Sequence, residues 1–212
     1  LLDTKNESAI DINQILKKDK ALISIFAGSR KSEIDVLTPI LLNFVKLMNK
    51  SYNDFSYVFH STKEYSDLIQ SYIRKNNLNN CEVISDNKIK YHILKKSIFA
   101  VSKSGTVSLE ICNAKIPSII LYKMGWLNFL IIKILVKTKF ANIINIAAKE
   151  EIIPELLQSK CNPKNIFNVV SNYLDNPKKM DKQVSKTQSI LKYFKTENSS
   201  SILAAKALIK YL

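Results

Sequence analysis

Ile98-Phe99-Ala100-Val101-Ser102-Lys103-Ser104-Gly105-Thr106-Val107-Ser108-Leu109-Glu110 is the stretch whose reading decides the fold. Its apolar run, residues 98–101, reads as a buried strand. Ser104-Gly105-Thr106 then turns the chain, and a helix begins at once. A helix start offers unpaired N–H groups and positive dipole charge, which suit a phosphate. Thr106 and Glu110 stand four apart and share one helix face. A carboxylate one turn in is badly placed for phosphate and well placed to accept from ribose hydroxyls. The stretch therefore reads as half of a nucleotide-diphosphate site. Taken alone it reads first as an ordinary helix cap with Glu110 on a solvated face, and only its company moves the reading to a nucleotide site.

A second stretch upstream has the same form. Residues 21–27 (ALISIFA) are a continuous apolar run, as in a parallel strand covered on both faces. Gly28-Ser29-Arg30 turns the chain into a helical pattern at Ile34, Leu37, Leu41, Phe44, Val45 and Met48. Ser32 with Asp35 resembles a capping signal. Pro39 inside the pattern predicts a bend or a late start. The chain holds only three glycines, where about 15 are usual for this length. Two of the three sit at these turns, which points to a backbone need: positive φ, or close approach of a ligand. Arg30 is one of only two arginines among 32 basic residues. Its planar fork grips phosphate through two bonds, which Lys cannot copy.

Outward from these turns, strand and helix alternate. Residues 55–59 read as the second strand, followed by a helix to about Lys75 with a Ser61/Glu64 capping box. Residues 81–85 form a short strand and 87–96 a short helix. Residues 117–122 form the fifth strand, and 141–146 read as a sixth. Residues 126–137, 154–158, 165–173, 178–194 and 199–211 read as helical. The alternation predicts an α/β fold: a doubly wound, mostly parallel Rossmann-like sheet of about six strands with C-terminal helices. Right-handed crossovers gather the strand C-termini on one edge, where ligands bind. Both glycine turns fall there, and so does Tyr122, which reads first as a packing residue. Neither turn is a G-x-G-x-x-G fingerprint or a Walker loop.

Composition bounds the rest. The chain is 46% hydrophobic and 24% charged, values of a globular domain. Its net charge of +14 admits nucleic acid or an anionic membrane surface. That charge is carried by lysines spread along the chain, without a basic stripe interleaved with aromatics. Cys81, Cys112 and Cys161 have no metal spacing and form no disulfide framework; a reducing cytoplasm fits them. No stretch reaches the roughly 18 apolar residues of a membrane span. Residues 125–137 (GWLNFLIIKILVK) are apolar over most of a helix surface. They read either as a helix buried on both sides or as an interfacial helix, with Trp126, Phe129 and Ile132 in lipid and Lys133 and Lys137 toward anionic headgroups.

Four blocks carry a resemblance over nearly the whole chain: Ile25-Phe26-Ala27-Gly28-Ser29-Arg30 with Glu33; Ser104-Gly105-Thr106 with Leu109-Glu110; residues 117–124; and residues 135–140 running on to Asn145 and to Pro154-Glu155-Leu156-Leu157-Gln158. In order and spacing these resemble the C-terminal half of lipid-A-disaccharide synthase, a two-domain GT-B glycosyltransferase. Ala27 and Ile144 stand where the family usually has Pro, and Lys149 where it commonly has Gly.

The resemblance implies an inverting transfer of 2,3-diacylglucosamine from UDP-2,3-diacylglucosamine to 2,3-diacylglucosamine 1-phosphate (lipid X), with UDP released and no metal or other cofactor. It implies that Gly28, Ser29, Arg30, Ser104, Gly105, Thr106, Glu110 and Asn145 bind the donor. It places the catalytic base in an N-terminal domain, so none is expected here; His60 and His92 match no family base. Residues 1–20 read as a connector from that domain, 21–195 as the donor-binding domain, and 196–212 as a helix packing back on the domain or on a partner. A cytoplasmic location peripheral to the inner membrane follows, and a homodimer stays open. The alternatives are another GT-B UDP-sugar enzyme, such as a peptidoglycan-precursor glycosyltransferase or an epimerase, or a basic module binding nucleic acid or a membrane surface.

Overall fold

The computed structural model describes residues 20–125 and 138–194 and the single position 209. Trp126, Phe129, Ile132, Lys133 and Lys137, all of the 1–20 connector except Lys20, and all but one residue of the 196–212 segment lie outside the described residues.

Six parallel strands form one sheet in the order β3-β2-β1-β4-β5-β6. They are β1 (Ala21–Phe26), β2 (Phe55–His60), β3 (Cys81–Ile84), β4 (Ser97–Lys103), β5 (Ser118–Tyr122) and β6 (Glu155–Leu157). The helices are α1 (Lys31–Ser51), α2 (Lys63–Lys75), α3 (Asn87–Lys96), α4 (Val107–Asn113), α5 (Ile143–Ala148), α6 (Pro163–Leu174) and α7 (Pro177–Leu191). The order reverses between β1 and β4, which are direct neighbours. A crevice opens at such a point because successive crossovers leave to opposite sides. No helix of the described residues is long and apolar enough to cross a membrane.

Strand alternation divides the core between the two faces. Ile23 and Ile25 of β1, Tyr57 and Phe59 of β2 and Phe99 and Val101 of β4 join Leu37, Leu41 and Phe44 of α1 and Ile166 and Val170 of α6 in one cluster. On the other face Leu22 and Val58 meet Ile89 and Ile93 of α3, while Phe26 and Ala100 meet Leu94 and Ile111. Cys112, Ile120, Ile144, Ile153 and Leu191 fill that face beyond β4. All three cysteines are buried and free.

Pro39 lies inside α1, which starts at Lys31 and is assigned without a break to Ser51. One lost backbone bond is outweighed here by eight buried residues on that helix. The expected caps differ as well. Arg30 is the N-cap of α1 and Thr62 that of α2, and neither makes a side-chain cap bond. The Ser61 hydroxyl donates to the Thr62 carbonyl instead.

The largest correction concerns the sixth strand. Residues 141–146 are not a strand: Ile143–Ala148 is α5, capped by Asn142, whose side chain accepts from the Ile144 N–H at 2.9 Å. The strand is Glu155–Leu157, within the segment read as helical. It pairs with β5 through Ile120–Glu155, Leu121–Leu156 and Tyr122–Leu157. A run of apolar β-branched residues has no period that separates helix from buried strand. The choice falls to the cap and to tertiary pairing.

Candidate functional site

The sheet's C-terminal edge carries a cleft of about 230 Å³ above the β1/β4 crevice. Gly28, Ser29 and Glu33 line it from the β1–α1 turn, and Lys103, Ser104, Gly105, Thr106 and Glu110 from β4 through α4. Phe26, His60, Ser61, Thr62, Asn87 and Lys90 complete the wall. Six of the eight expected donor residues are thus brought together.

The two glycines serve different needs. Gly28 has φ +121°, and a Cβ there would lie 2.5 Å from Glu33 Oε2 and 2.7 Å from Glu33 Cβ. The fold itself demands glycine at this position. At Gly105 no heavy atom lies within 4 Å of an added Cβ, and its φ is not positive. Nothing in the described residues requires glycine there, so its bare backbone faces open space in the cleft.

Charge in the cleft is balanced. Lys103 Nζ lies 2.9 Å from Glu33 Oε1, and Lys90 Nζ lies 2.7 Å from Glu110 Oε2. Burial alone would raise the Glu33 carboxyl, but the Lys103 ammonium and the Ser29 and Arg30 N–H groups outweigh it and hold it below the usual range. The Ser29 N–H reaches Glu33 Oε2 at 3.0 Å, so this carboxylate fixes the turn after Gly28. The Ser104 hydroxyl donates to the Ala141 carbonyl at 2.9 Å, which ties the β4 turn to the loop before α5. The helix α4 begins with Thr106 as its N-cap, without a side-chain cap bond.

Two expected residues are elsewhere. Arg30 stands at the rim with its side chain 80% exposed, 3.9 Å from Glu33, and outside the lining set. Asn145 does not line the cleft: it is fully buried. Its amide donates to the Ile153 carbonyl and to Glu155 Oε1, and its oxygen accepts from the Ile152 and Ile153 N–H groups. All four hydrogen-bonding positions of the side chain are spent. Glu155 also accepts from the N–H groups of Ala141 and Asn142. Asn145 therefore shapes the loop on which Ser104 hangs and lies outside the residues lining the cleft. Tyr122 ends β5 half-buried and outside the cleft lining, with the Lys103 ammonium 5.8 Å from its ring centre.

Lys90, Lys103 and His60 were not signalled. Two more lysines are invisible against thirty (32 basic residues less two Arg). His60 ends β2 at the ligand edge, and that position is its only signal. Its ring stacks on Phe26, with centroids 4.2 Å apart and planes 6° apart, because the parallel register sets the two residues side by side. Burial first, and the Lys90 charge second, push its pKa down to about 3.

Comparison with known proteins follows the same lines. A family model described as lipid-A-disaccharide synthetase matches residues 2–209. The lipid-A-disaccharide synthase of Sulfurihydrogenibium sp. (strain YO3AOP1) is 32% identical over 192 residues, covering 87% of this chain and 48% of that protein. That of Rickettsia prowazekii (strain Madrid E) is 31% identical over 195 residues, covering 91% and 51%. Among solved structures, UDP-GlcNAc 2-epimerase from Neisseria meningitidis bound to UDP-GlcNAc superposes with a TM-score of 0.59 at 15% identity, over 87% of this chain and 47% of that one. The C-terminal domain of a glycosyl transferase group 1 family protein from Francisella tularensis gives 0.55 at 16% identity, over 84% and 88%. These likenesses show the GT-B type of fold and no more. The chain belongs to the lipid-A-disaccharide synthetase family, and it spans about half the length of the curated relatives it matches.

Proposed function

We propose that this chain is the UDP-sugar-binding half of a lipid-A-disaccharide synthase. The observation that carries the reading is the pairing of two turns at the β1/β4 crevice, with an unhindered Gly105 on one and Glu110 one helical turn further in. The diphosphate lies between the Gly28-Ser29 and Ser104-Gly105-Thr106 backbones. Arg30 closes on it from the rim as a planar fork. Glu110 accepts from the ribose hydroxyls, exchanging its Lys90 partner for the ligand. A cleft of about 230 Å³ suits a nucleotide and not acyl chains, which stay outside it.

In this reading the enzyme transfers 2,3-diacylglucosamine from UDP-2,3-diacylglucosamine to lipid X. Inversion at the anomeric carbon calls for a base on the acceptor hydroxyl. His60 is unsuited, because it is buried and hydrogen-bonded to Ser24. The base, the acceptor site and the contact with an anionic inner-membrane surface at its cytoplasmic side are assigned on the family alone. This chain stabilises the departing UDP through its two turns and the basic side chains beside them.

The test is calorimetric titration with UDP, UMP and ADP in a salt series. UDP is expected to bind better than UMP or ADP, and Glu110→Ala and Arg30→Lys each to weaken it by about 10- to 100-fold. A folded chain that does not distinguish UDP from UMP would sink the reading.

A further inference from the structure

The two turns of the cleft differ in what they already hold. At Gly105 the β4–α4 turn faces open space. The β1–α1 turn is filled by an anion of the chain itself, the carboxylate of Glu33. Glu33 Oε2 accepts from the Ser29 N–H at 3.0 Å, and Glu33 Oε1 lies 2.9 Å from Lys103 Nζ. The Arg30 guanidinium stands 3.9 Å from the same carboxylate. A backbone N–H at the start of a 21-residue helix, a lysine and an arginine form the kind of set that receives a phosphate oxygen. The seat is shaped around its occupant: any side chain at Gly28 would run into Glu33 Oε2 and Cβ. It is also open to the cleft. Glu33, Ser29 and Lys103 all line it, and the Glu33 side chain keeps 14% of its surface exposed.

One seat does not serve two anions. An ionised carboxylate there opposes an incoming phosphate twice. It occupies the N–H and the ammonium, and its charge repels the newcomer. The other acidic side chains nearby have partners of their own, Glu110 with Lys90 and Asp35 with Lys31. Lys103 of β4 and Arg30 of the turn are the charged groups that face Glu33 among the described residues.

Building on the donor-site reading, we propose that Glu33 is an internal competitor of the diphosphate: its carboxylate fills the anion seat of the β1–α1 turn in the free chain and gives up the Ser29 N–H and Lys103 when phosphate enters. Glu33 is thus an affinity-determining residue. It braces the empty turn, weakens the hold on UDP, and so eases release of that product.

The test uses the full chain with UDP, UMP, uridine and inorganic pyrophosphate. Glu33→Gln keeps the side chain's length and an oxygen for the Ser29 N–H, and loses the charge. It is expected to bind UDP and pyrophosphate about 10-fold more tightly and uridine within about twofold, at a lower urea midpoint. Asp35→Asn removes the same charge from the same helix and is expected to change UDP binding by less than about twofold, since its distance and exposure leave it screened. In a Lys103→Met background the gain from Glu33→Gln is expected to shrink below about threefold, because the contested ammonium is gone. If Glu33→Gln does not fold, carboxyl-carbon NMR of the wild type decides. The Glu33 titration midpoint is expected to rise by about one pH unit or more when UDP saturates the chain, as the carboxylate loses its donors and gains an anionic neighbour. Unchanged or weaker UDP binding by Glu33→Gln, an equal gain in Asp35→Asn, an undiminished gain over Lys103→Met, or a midpoint unmoved by UDP overturns the proposal and leaves Glu33 a brace of the turn. The donor reading then stands if the wild type still prefers UDP to UMP. A folded wild type without that preference removes both.

Discussion

Glycine 28 and glycine 105 look alike in the sequence, each closing an apolar strand at the same sheet edge, but they answer to different constraints. Gly28→Ala forces a left-handed backbone and a clash with Glu33. It is expected to cost about 1–3 kcal/mol, read as a lower urea midpoint. Gly105→Ala meets open space and should leave stability within about 0.5 kcal/mol, while weakening UDP by about 10-fold or more. A stability loss in Gly105→Ala equal to that in Gly28→Ala would contradict this division. His60 gives a pH signature at the same scale. Its folded pKa, near 3, lies below the ordinary 6.5, so from pH 6.5 downward the unfolded chain binds a proton that the native chain refuses. Stability then falls as pH falls, by at most about 1.4 kcal/mol per pH unit from this group. Urea unfolding at pH 7.5, 6 and 5 should show a shallower loss in His60→Phe. Glu33, held low, loses its contribution only below the ordinary carboxyl range, outside that window.

Between α5 and β6 the element scale decides. Asn145 was expected at the ligand and is instead the knot that binds α5 to residues 152–155. Asn145→Ala is expected to lower unfolding free energy by about 3 kcal/mol, since it strands two buried N–H groups. Any effect on UDP should follow from loosening of the Ser104 loop, and rise with temperature. Lys149 ends α5 with φ +55° in the left-handed region. The resemblance puts Gly at this position, and the geometry explains why Gly suits it. Lys149→Gly should raise stability by about 1 kcal/mol, seen as a higher urea midpoint with unchanged m.

At the scale of the whole molecule, α7 is hydrogen-bonded to the sheet through Gln183. Gln183 accepts from the Ser118 N–H at 2.6 Å and donates to the Ser118 carbonyl at 3.0 Å. It reaches the Tyr173 hydroxyl of α6 at 3.1 Å. Catalysis is expected to need more than this fold. Disaccharide formation should be undetectable with this chain alone and should appear when it is joined to the N-terminal half of a relative. Turnover by the chain alone would show that the base resides here after all.

Local sequence determined the first five strands, the turns between β1 and α1 and between β4 and α4, and six residues that the fold brings to one cleft. Each rested on short-range signals: continuous apolar runs, rare glycines, and residues one helical turn apart. Only the tertiary structure decided β6 against α5, because a three-residue strand has too few side chains to show a period and is defined by its partner. The same holds for Asn145, whose four hydrogen bonds reach residues up to ten positions away. It holds for Lys90, Lys103 and His60 too, which become part of a site only when separate strands and helices carry them to one edge.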